Sequence, residues 1–229
     1  MQESYKCGFS FAREALKNGG KCLDCGANDG SQYSELKTIM GLDKDHYVGI
    51  EWNINSVNEA QAKGLNVIQG DINKTLPFNE NEFQCVFGFS VLEHLLNGCQ
   101  WINECRRILK PGGHLVILTP NISAWFTVFL LILGKMPSIG PHPDSLTLFK
   151  KERLVEVCDL HPDIEGDTPL NRHLVVFSYR VLKKYLKLCG FKNIKGYAFG
   201  LYPLPPFLQP LFERIDPWHC HQMVFSAEK

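Results

Sequence analysis

The stretch Cys22-Leu23-Asp24-Cys25-Gly26-Ala27-Asn28-Asp29-Gly30 decides the fold of this chain. It begins as an apolar strand and turns through two glycines into a segment with helical periodicity. Gly26 and Gly30 allow backbone conformations, and a close approach by a ligand, that a Cβ atom would prevent. In an open parallel sheet, ligands bind at the carboxyl ends of the strands, near the point where strand order reverses. The stretch predicts a ligand-binding turn, with a tight turn that binds no ligand as the alternative.

Short strand-like runs alternate with helical periodicity through the first half of the chain. The predicted strands are Lys21–Asp24, Tyr47–Glu51, Asn66–Gln69, Gln84–Phe89 and His114–Thr119. The predicted helices between them are Gln32–Met40, Ile54–Lys63 and Gln100–Leu109. The last helix ends before Pro111 because proline cannot continue a helical hydrogen-bond ladder. Strands that alternate with helices form right-handed βαβ units and a mostly parallel sheet.

The second half of the chain interrupts this alternation. Residues 121–176 contain scattered Pro and His and are too long for a bare loop, so we predict an inserted helical lid within a single domain, residues 1–229. The remaining predicted elements are lid helices near Ala124–Leu133 and Lys150–Cys158, a helix over Ser178–Cys189, and closing strands near Ile194–Phe199 and Met223–Ala227. The chain is therefore predicted as an α/β protein with an insertion.

Composition limits the classes of function. The 229 residues contain 24 Lys and Arg and 24 Asp and Glu, and nucleic-acid binding through phosphate neutralisation needs a basic excess, so we expect no nucleic-acid partner. Nine scattered cysteines favour a reducing compartment, and no secretory signal opens the chain, so the expected location is cytoplasmic. The most apolar run, Ile122–Leu133, is too short to span a bilayer and predicts at most peripheral lipid contact.

Acidic residues end the first three predicted strands. Glu51 follows Gly30 by 21 residues, which is where nucleotide-binding folds place a carboxylate for both ribose hydroxyls. Asp71 ends the third strand, where it could accept a hydrogen bond from an adenine amino group. Together with Asp24, these side chains line one rim of the sheet, although each alone could be a solvated or turn-forming carboxylate.

Five segments together resemble the class I S-adenosylmethionine-dependent methyltransferases. They are LDCGANDG (Leu23–Gly30), VGIE (Val48–Glu51), GD (Gly70–Asp71), FSVLEHL (Phe89–Leu95) and RRILKPGG (Arg106–Gly113). Residues 64–86 are similar in particular to the small-molecule branch related to ubiquinone- and methionine-pathway methyltransferases. The resemblance covers residues 20–120 well and Ser178–Phe191 more loosely. It implies a Rossmann-like, seven-stranded, mostly parallel sheet flanked by helices, with the last strand antiparallel.

The resemblance also implies which residues bind the cofactor, S-adenosylmethionine, which leaves as S-adenosylhomocysteine. By position, Asp24, Gly26 and Gly30, with Ala27 and Asn28 in the same loop, would hold the methionine end. Glu51 would hold the ribose, Asp71 with Ile72 the adenine, Trp52 would flank the adenine ring, and Phe89 with Ser90 would form the floor beneath the methionine moiety. Many relatives carry Gly-x-Gly in the first loop, where this chain has Gly26-Ala27-Asn28.

His94 is the candidate catalytic residue. A sulfonium methyl group is already activated, so the protein mainly aligns the reactants and excludes water. With a hydroxyl acceptor, a base can take the proton, and His94 follows the fourth strand where the resemblance places residues near the transferred methyl. The alternative is that His94 packs against or caps the following short helix. The predicted function is methyl transfer to a small molecule, at oxygen.

The sequence predicts no metal ion. Cys22 and Cys25 have CxxC spacing, but no second pair supplies the other ligands of a zinc site, so both are interpreted as structural. The stretch His219-Cys220-His221 is interpreted as an edge that faces solvent or substrate. The alternative is a metal site completed by His142 or His161.

The lid is expected to select the acceptor. Its apolar wall would be Trp125, Phe126, Phe129 and Leu130, and its polar contacts Pro141-His142-Pro143-Asp144 and Arg172-His173. An apolar wall fits an acceptor with an apolar part, such as a lipid, a quinone precursor or a carrier-linked sugar. Alternatively, the aromatic run only packs the lid onto the sheet.

Two other functions stay open. An NAD(P)-dependent oxidoreductase would use a similar sheet, but the first loop lacks the Gly-x-Gly-x-x-Gly pattern that lets the backbone approach a pyrophosphate. A non-catalytic cofactor-binding or membrane-associated scaffold protein would bind without turnover.

Overall fold

A computed structural model describes residues 2–137, 139–142, 172–205 and 207–229. Its strands are Cys22–Cys25 (β1), Tyr47–Glu51 (β2), Val67–Gln69 (β3), Phe83–Phe89 (β4), Leu109–Pro120 (β5), Lys192–Phe199 (β6) and Gln222–Glu228 (β7). Its helices are Gln2–Leu16 (α1), Ser31–Met40 (α2), Ile54–Ala62 (α3), Gly98–Ile108 (α4), Trp125–Ile132 (α5), Tyr179–Leu188 (α6) and Gln209–Ile215 (α7).

The seven strands form one sheet in the order β3-β2-β1-β4-β5-β7-β6. The first five strands run parallel, and β7 runs antiparallel to both of its neighbours. The predicted Rossmann-like sheet with an antiparallel last strand is confirmed. Strand order reverses between β1 and β4, so the carboxyl ends of these two strands open the crevice where such sheets bind ligands.

Two apolar cores lie on opposite faces of the sheet. Helix α4 buries Trp101, Ile102 and Ile108 on one face, while α1 and α2 cover the other face with residues such as Phe9 and Leu36. Burying each of these large side chains contributes about 1.5–3 kcal/mol, which makes this packing the main stabilisation of the sheet.

The CxxC pair is divided between these cores. Cys25 packs on the face of α4 and Cys22 on the face of α1, because successive side chains of a strand point to opposite faces. Both thiols are free and buried. Their positions fit the interpretation as structural cysteines and separate the two thiols that a redox or metal pair would need together.

The structure adds elements that the sequence analysis did not predict. Helix α1 precedes the first strand, and α7 follows the Pro-rich segment after β6. Strand β5 begins at Leu109 and passes through Lys110–Gly113 as an irregularity in its pairing with β4. The predicted helix near Lys150–Cys158, and His161, lie outside the described residues. Among the residues described, no helix is long and apolar enough to cross a membrane.

Candidate active site

The loop after β1 needs glycine at two positions. Gly26 and Gly30 have φ angles of +79° and +81°. A Cβ at Gly26 would lie 2.6 Å from Cγ2 of Val91, and one at Gly30 would lie 2.2 Å from Cδ1 of Leu65. The Gly26 amide donates a hydrogen bond to the carbonyl of Ile50 at 2.9 Å. The loop is therefore held between β2 and the segment after β4, at the crevice.

Asn28 occupies the place where many relatives carry a second glycine. Its φ of +47° lies in the left-handed region, which asparagine tolerates better than most residues. Ala27 is fully buried against Gly49, where a Cβ would lie 2.6 Å from the Ala27 Cβ. The departure from Gly-x-Gly is thus accommodated by the left-handed conformation of Asn28, while Gly49 in β2 leaves room for Ala27.

Glu51 connects the loops that follow β1 and β2. Its Oε2 accepts a hydrogen bond from the backbone amide of Asn28 at 3.0 Å, and its Oε1 accepts one from the amide of Asn53 at 2.8 Å. The side chain is largely buried. These bonds fix the carboxylate at the carboxyl ends of β1 and β2, the position predicted for a ribose-binding group.

The residues predicted around the adenine lie at the neighbouring strand ends. Trp52, directly after Glu51, is 57% exposed. Asp71 accepts a hydrogen bond from the Asn73 amide at 3.0 Å and is only partly buried, while Ile72 packs partly against the core. An exposed indole and a carboxylate are therefore available along this rim.

Phe89 and Ser90, the predicted floor, are covered by α1. Phe89 is buried, and its ring lies 5.9 Å from Tyr5 and 5.2 Å from Phe9, both edge-on. Ser90 has a φ of +56°, and its Oγ lies 3.1 Å from the Tyr5 hydroxyl. Tyr5 was not among the predicted site residues. The helical spacing of Phe9, Ala12 and Leu16 is the signal that would have predicted α1.

Asp24 lies inside the sheet layer rather than on the open rim. It is 1% exposed, and its Oδ2 accepts a hydrogen bond from the Tyr47 hydroxyl at 2.7 Å. The pKa of Asp24 is raised to about 7: burial raises it most, the hydrogen bond from Tyr47 lowers it, and the nearby charge of Glu51 raises it. Contact between Asp24 and the cofactor stays a prediction.

We expect Asp24 to make the ligand-free protein less stable as pH rises. A folded-state pKa near 7, against about 3.8 when unfolded, means that the folded chain holds a proton that the unfolded chain has released. Between these pH values the free energy of unfolding therefore falls with increasing pH, by at most about 4 kcal/mol for this group. Asp24→Asn cannot ionise, so its stability relative to the wild type should increase between pH 5 and pH 8 in urea titrations.

The exposed Asp45 provides the matched control for this measurement. Asp45→Asn should track the wild type at both pH values. A stability difference between Asp24→Asn and the wild type that is the same at pH 5 and pH 8 would contradict the assignment of a raised pKa to Asp24.

His94 lies in a short 3-10 turn, Leu92–His94, directly after the residues of the floor. The structure brings it together with Glu93 and with His173, one potential ligand atom of each lying within 4.8 Å of the others. Sequence reasoning did not pair His94 with His173, because they are far apart along the chain.

The two histidines near the C-terminus have different surroundings. His219 Nδ1 lies 2.8 Å from the Asp216 carboxylate, and its ring stacks on Trp125 at 4.4 Å. His221 packs edge-on against Tyr202, and burial lowers its pKa. Among the described residues, neither belongs to a group of three potential metal ligands.

Helix α5, which lies in the predicted lid, divides its residues between two environments. Within α5, Thr127 and Leu130 are buried, whereas Trp125 and Phe129 are about half exposed. The predicted wall therefore both packs against the protein and leaves apolar surface. Pro143 and Asp144, also predicted as polar contacts of the lid, lie outside the described residues.

The strand order is that of the α/β sheet that the resemblance to class I methyltransferases implies. Residues 23–117 match the family model described as "Methyltransferase domain". The chain is 27% identical over 186 residues to the ubiquinone/menaquinone biosynthesis C-methyltransferase UbiE of Coxiella burnetii, covering 67% of this chain and 73% of that protein. It is 31% identical over 106 residues to sterol 24-C-methyltransferase ERG6B of Gibberella zeae, covering 43% and 27% respectively.

Solved structures share the fold. A SAM-dependent methyltransferase from Archaeoglobus fulgidus superposes with a TM-score of 0.62 at 16% identity, covering 100% of this chain and 95% of that one. Phosphoethanolamine N-methyltransferase 2 from Haemonchus contortus superposes with a TM-score of 0.61 at 15% identity, covering 98% and 52%. Residues 23–117 thus match a methyltransferase domain model, and the described fold is shared with solved SAM-dependent methyltransferases. It spans 27% to 40% of the length of four curated relatives.

Proposed function

We propose that the protein transfers a methyl group from S-adenosylmethionine to an oxygen of a small molecule and releases S-adenosylhomocysteine. The observation that carries this proposal is the position of Glu51. Its carboxylate accepts backbone hydrogen bonds from the loops after both β1 and β2, at the edge of the crevice and beside the exposed Trp52. A carboxylate fixed there suits the ribose of an adenosyl cofactor.

In the proposed reaction the protein has little covalent chemistry to perform. The acceptor oxygen attacks the sulfonium methyl in line, so a carbon–oxygen bond forms while the carbon–sulfur bond breaks and sulfur keeps the electron pair. Phe89 and Ser90 form the floor on which the methionine moiety would lie, and α1 covers them against water. The acceptor must also lose a proton, and His94 is the proposed residue for that step because it directly follows this floor.

We propose that residues 121–176 form the acceptor-binding insertion within a single domain. The half-exposed Trp125 and Phe129 favour an acceptor with an apolar part, such as a lipid, a quinone precursor or a carrier-linked sugar. The same apolar surface would serve for peripheral contact with lipid. The eight cysteines that are free in the described part of the chain support a reducing, cytoplasmic location, which stays part of this proposal.

Calorimetry separates the proposed function from its alternatives. S-adenosylmethionine and S-adenosylhomocysteine should bind, whereas NAD and NADP should not. Binding of the nicotinamide cofactors alone would favour the oxidoreductase. Methyl-labelled cofactor should then be offered to a panel of hydroxyl-bearing lipids, quinone precursors and sugars. Transfer to carbon would overturn the assignment to oxygen, and binding without any transfer would favour a scaffold protein.

A further inference from the structure

Three side chains that could bind a metal ion lie together near the loop after β1, residues 26–30, which we call the cofactor loop. Glu93 and His94 belong to the 3-10 turn after β4, and His173 lies in the segment that returns from the lid. Glu93 is 2% exposed, and one ligand atom from each of the three residues lies within 4.8 Å of the others. Val91, two residues before Glu93, packs directly on Gly26 of the cofactor loop. The group is therefore close to the site where the methyl group would be transferred.

Backbone carbonyls orient both imidazole rings. His94 Nδ1 lies 2.9 Å from the carbonyl oxygen of Arg172, and His173 Nδ1 lies 2.7 Å from that of Ile139. A carbonyl can only accept, so each Nδ1 carries the hydrogen, and in the neutral ring Nε2 carries the lone pair. Histidines that bind metals have this arrangement, in which the non-ligating nitrogen donates to a carbonyl or carboxylate.

The carboxylate of Glu93 is also held by a hydrogen bond, as the two imidazole rings are. The Thr119 hydroxyl donates to Oε2 of Glu93 at 2.9 Å. The backbone carbonyl of Glu93 accepts a hydrogen bond from the amide of Leu174 at 2.7 Å, which ties the segment containing His173 to the turn. The ring of His142 stacks on that of His173 at 4.9 Å, and His142 Nδ1 accepts the His173 backbone N–H at 3.2 Å. The three groups are thus positioned by several separate stretches of the chain.

We propose that Glu93, His94 and His173 bind a divalent first-row transition metal ion. Two imidazoles and one carboxylate are a ligand set that proteins use for zinc and ferrous iron, whereas magnesium and calcium prefer oxygen ligands throughout. Among the residues that the structure describes, this set supplies three protein ligands, the number that catalytic zinc sites combine with an open coordination position. This site differs from the expectation of no metal, because its ligands come together only in the folded chain.

The ion would act on the acceptor, and only this role rests on the proposed function. An acceptor oxygen bound at the open position would lose its proton to water more readily, because the cation stabilises the negative charge that develops on oxygen. The deprotonated oxygen would then attack the methyl group, and the sulfonium would leave as a neutral thioether. In this arrangement His94 is a ligand rather than the base itself.

Cobalt(II) provides a probe of the site that does not depend on activity. The full chain is freed of metal with a chelator and titrated with Co²⁺, with binding followed by calorimetry and visible absorption. We expect one Co²⁺ per chain, an increased melting temperature and no thiolate charge-transfer band. Glu93→Gln and His173→Gln should lose binding, and Thr119→Val should weaken it by about tenfold through the lost orienting hydrogen bond. His46→Gln, at an exposed turn, is the matched control and should bind like the wild type.

The outcomes distinguish this site from the proposed function. No Co²⁺ bound by the wild-type chain, or equal binding by wild type and both ligand variants, overturns the metal site. If the ligand variants fail to fold, the Thr119→Val variant and the wild-type spectrum still decide the question. If the chain binds S-adenosylmethionine but does not bind Co²⁺, the metal site is wrong and the proposed function is unaffected. If the chain binds Co²⁺ but does not bind S-adenosylmethionine, the proposed function is wrong and the metal site is unaffected.

Discussion

Glu51→Ala is expected to weaken S-adenosylmethionine binding by about 10- to 150-fold, which corresponds to roughly 1.5–3 kcal/mol for lost charge-assisted hydrogen bonds. The substitution removes the proposed ribose acceptor. It also frees the amides of Asn28 and Asn53, which Glu51 holds at 3.0 and 2.8 Å. Both effects lower the affinity for the cofactor, because Glu51 is the proposed ribose acceptor and also holds the amide of Asn28 in the loop after β1. Calorimetric titration of the purified variant measures the change.

Two further variants make this result specific. Glu51→Gln keeps an acceptor oxygen but loses the charge, so its affinity should lie between that of Glu51→Ala and that of the wild type. Glu35→Ala removes an exposed carboxylate from α2 and should bind the cofactor normally. An affinity of Glu51→Ala equal to that of the wild type would remove Glu51 from the site and with it the observation on which the proposed function depends.

His94→Ala is expected to decrease turnover by about 10²- to 10⁴-fold, the range typical for the loss of a group that handles a proton in the transition state. Affinity for S-adenosylmethionine should stay close to that of the wild type, because the cofactor contacts proposed here involve other residues. The same separation of turnover from affinity holds if His94 acts as a metal ligand. Initial rates with an acceptor identified from the panel measure turnover, and calorimetry measures the affinity for S-adenosylmethionine.

The control for this variant is His46→Ala, which changes an exposed imidazole before β2 and should leave turnover unaltered. A melting curve is needed as well, because His94 is half-buried and its Nδ1 contacts the Arg172 carbonyl. A folded His94→Ala protein with undiminished turnover would return His94 to a packing role.

Much of the fold could be predicted because its signals are local. The apolar run from Cys22 and the glycines that follow it indicate the β1 turn, and the observed φ angles at Gly26 and Gly30 show why glycine stands there. The stripe of buried residues in α4 follows from helical periodicity, and the strand from Tyr47 to Glu51 was predicted with its observed bounds. Helix α1 was not predicted, although the spacing of Phe9, Ala12 and Leu16 is an equally local signal.

Some features of the candidate site could likewise be predicted from the sequence, and others could not. The positions of Glu51 and Asp71 at strand ends follow from the sequence, because the ends of neighbouring parallel strands meet at one edge of the sheet. By contrast, Tyr47 was not paired with Asp24, because their hydrogen bond joins adjacent strands across a register that no periodicity specifies.

The amino-acid sequence by itself determined the alternation of strands and helices, the glycine turn and the positions of Glu51 and Asp71 after their strands, since each depends on neighbours within a few residues. It did not determine that Asp24 is buried away from the open rim. Only the tertiary structure decided that Glu93 and His94 meet His173, and that Tyr5 of α1 reaches Ser90. His94 and the carbonyl that orients it are 78 residues apart along the chain. Contacts of that kind depend on the path of the chain between the two residues, which no local pattern specifies; the hydrogen bond between the Glu93 carbonyl and the Leu174 amide is a further example.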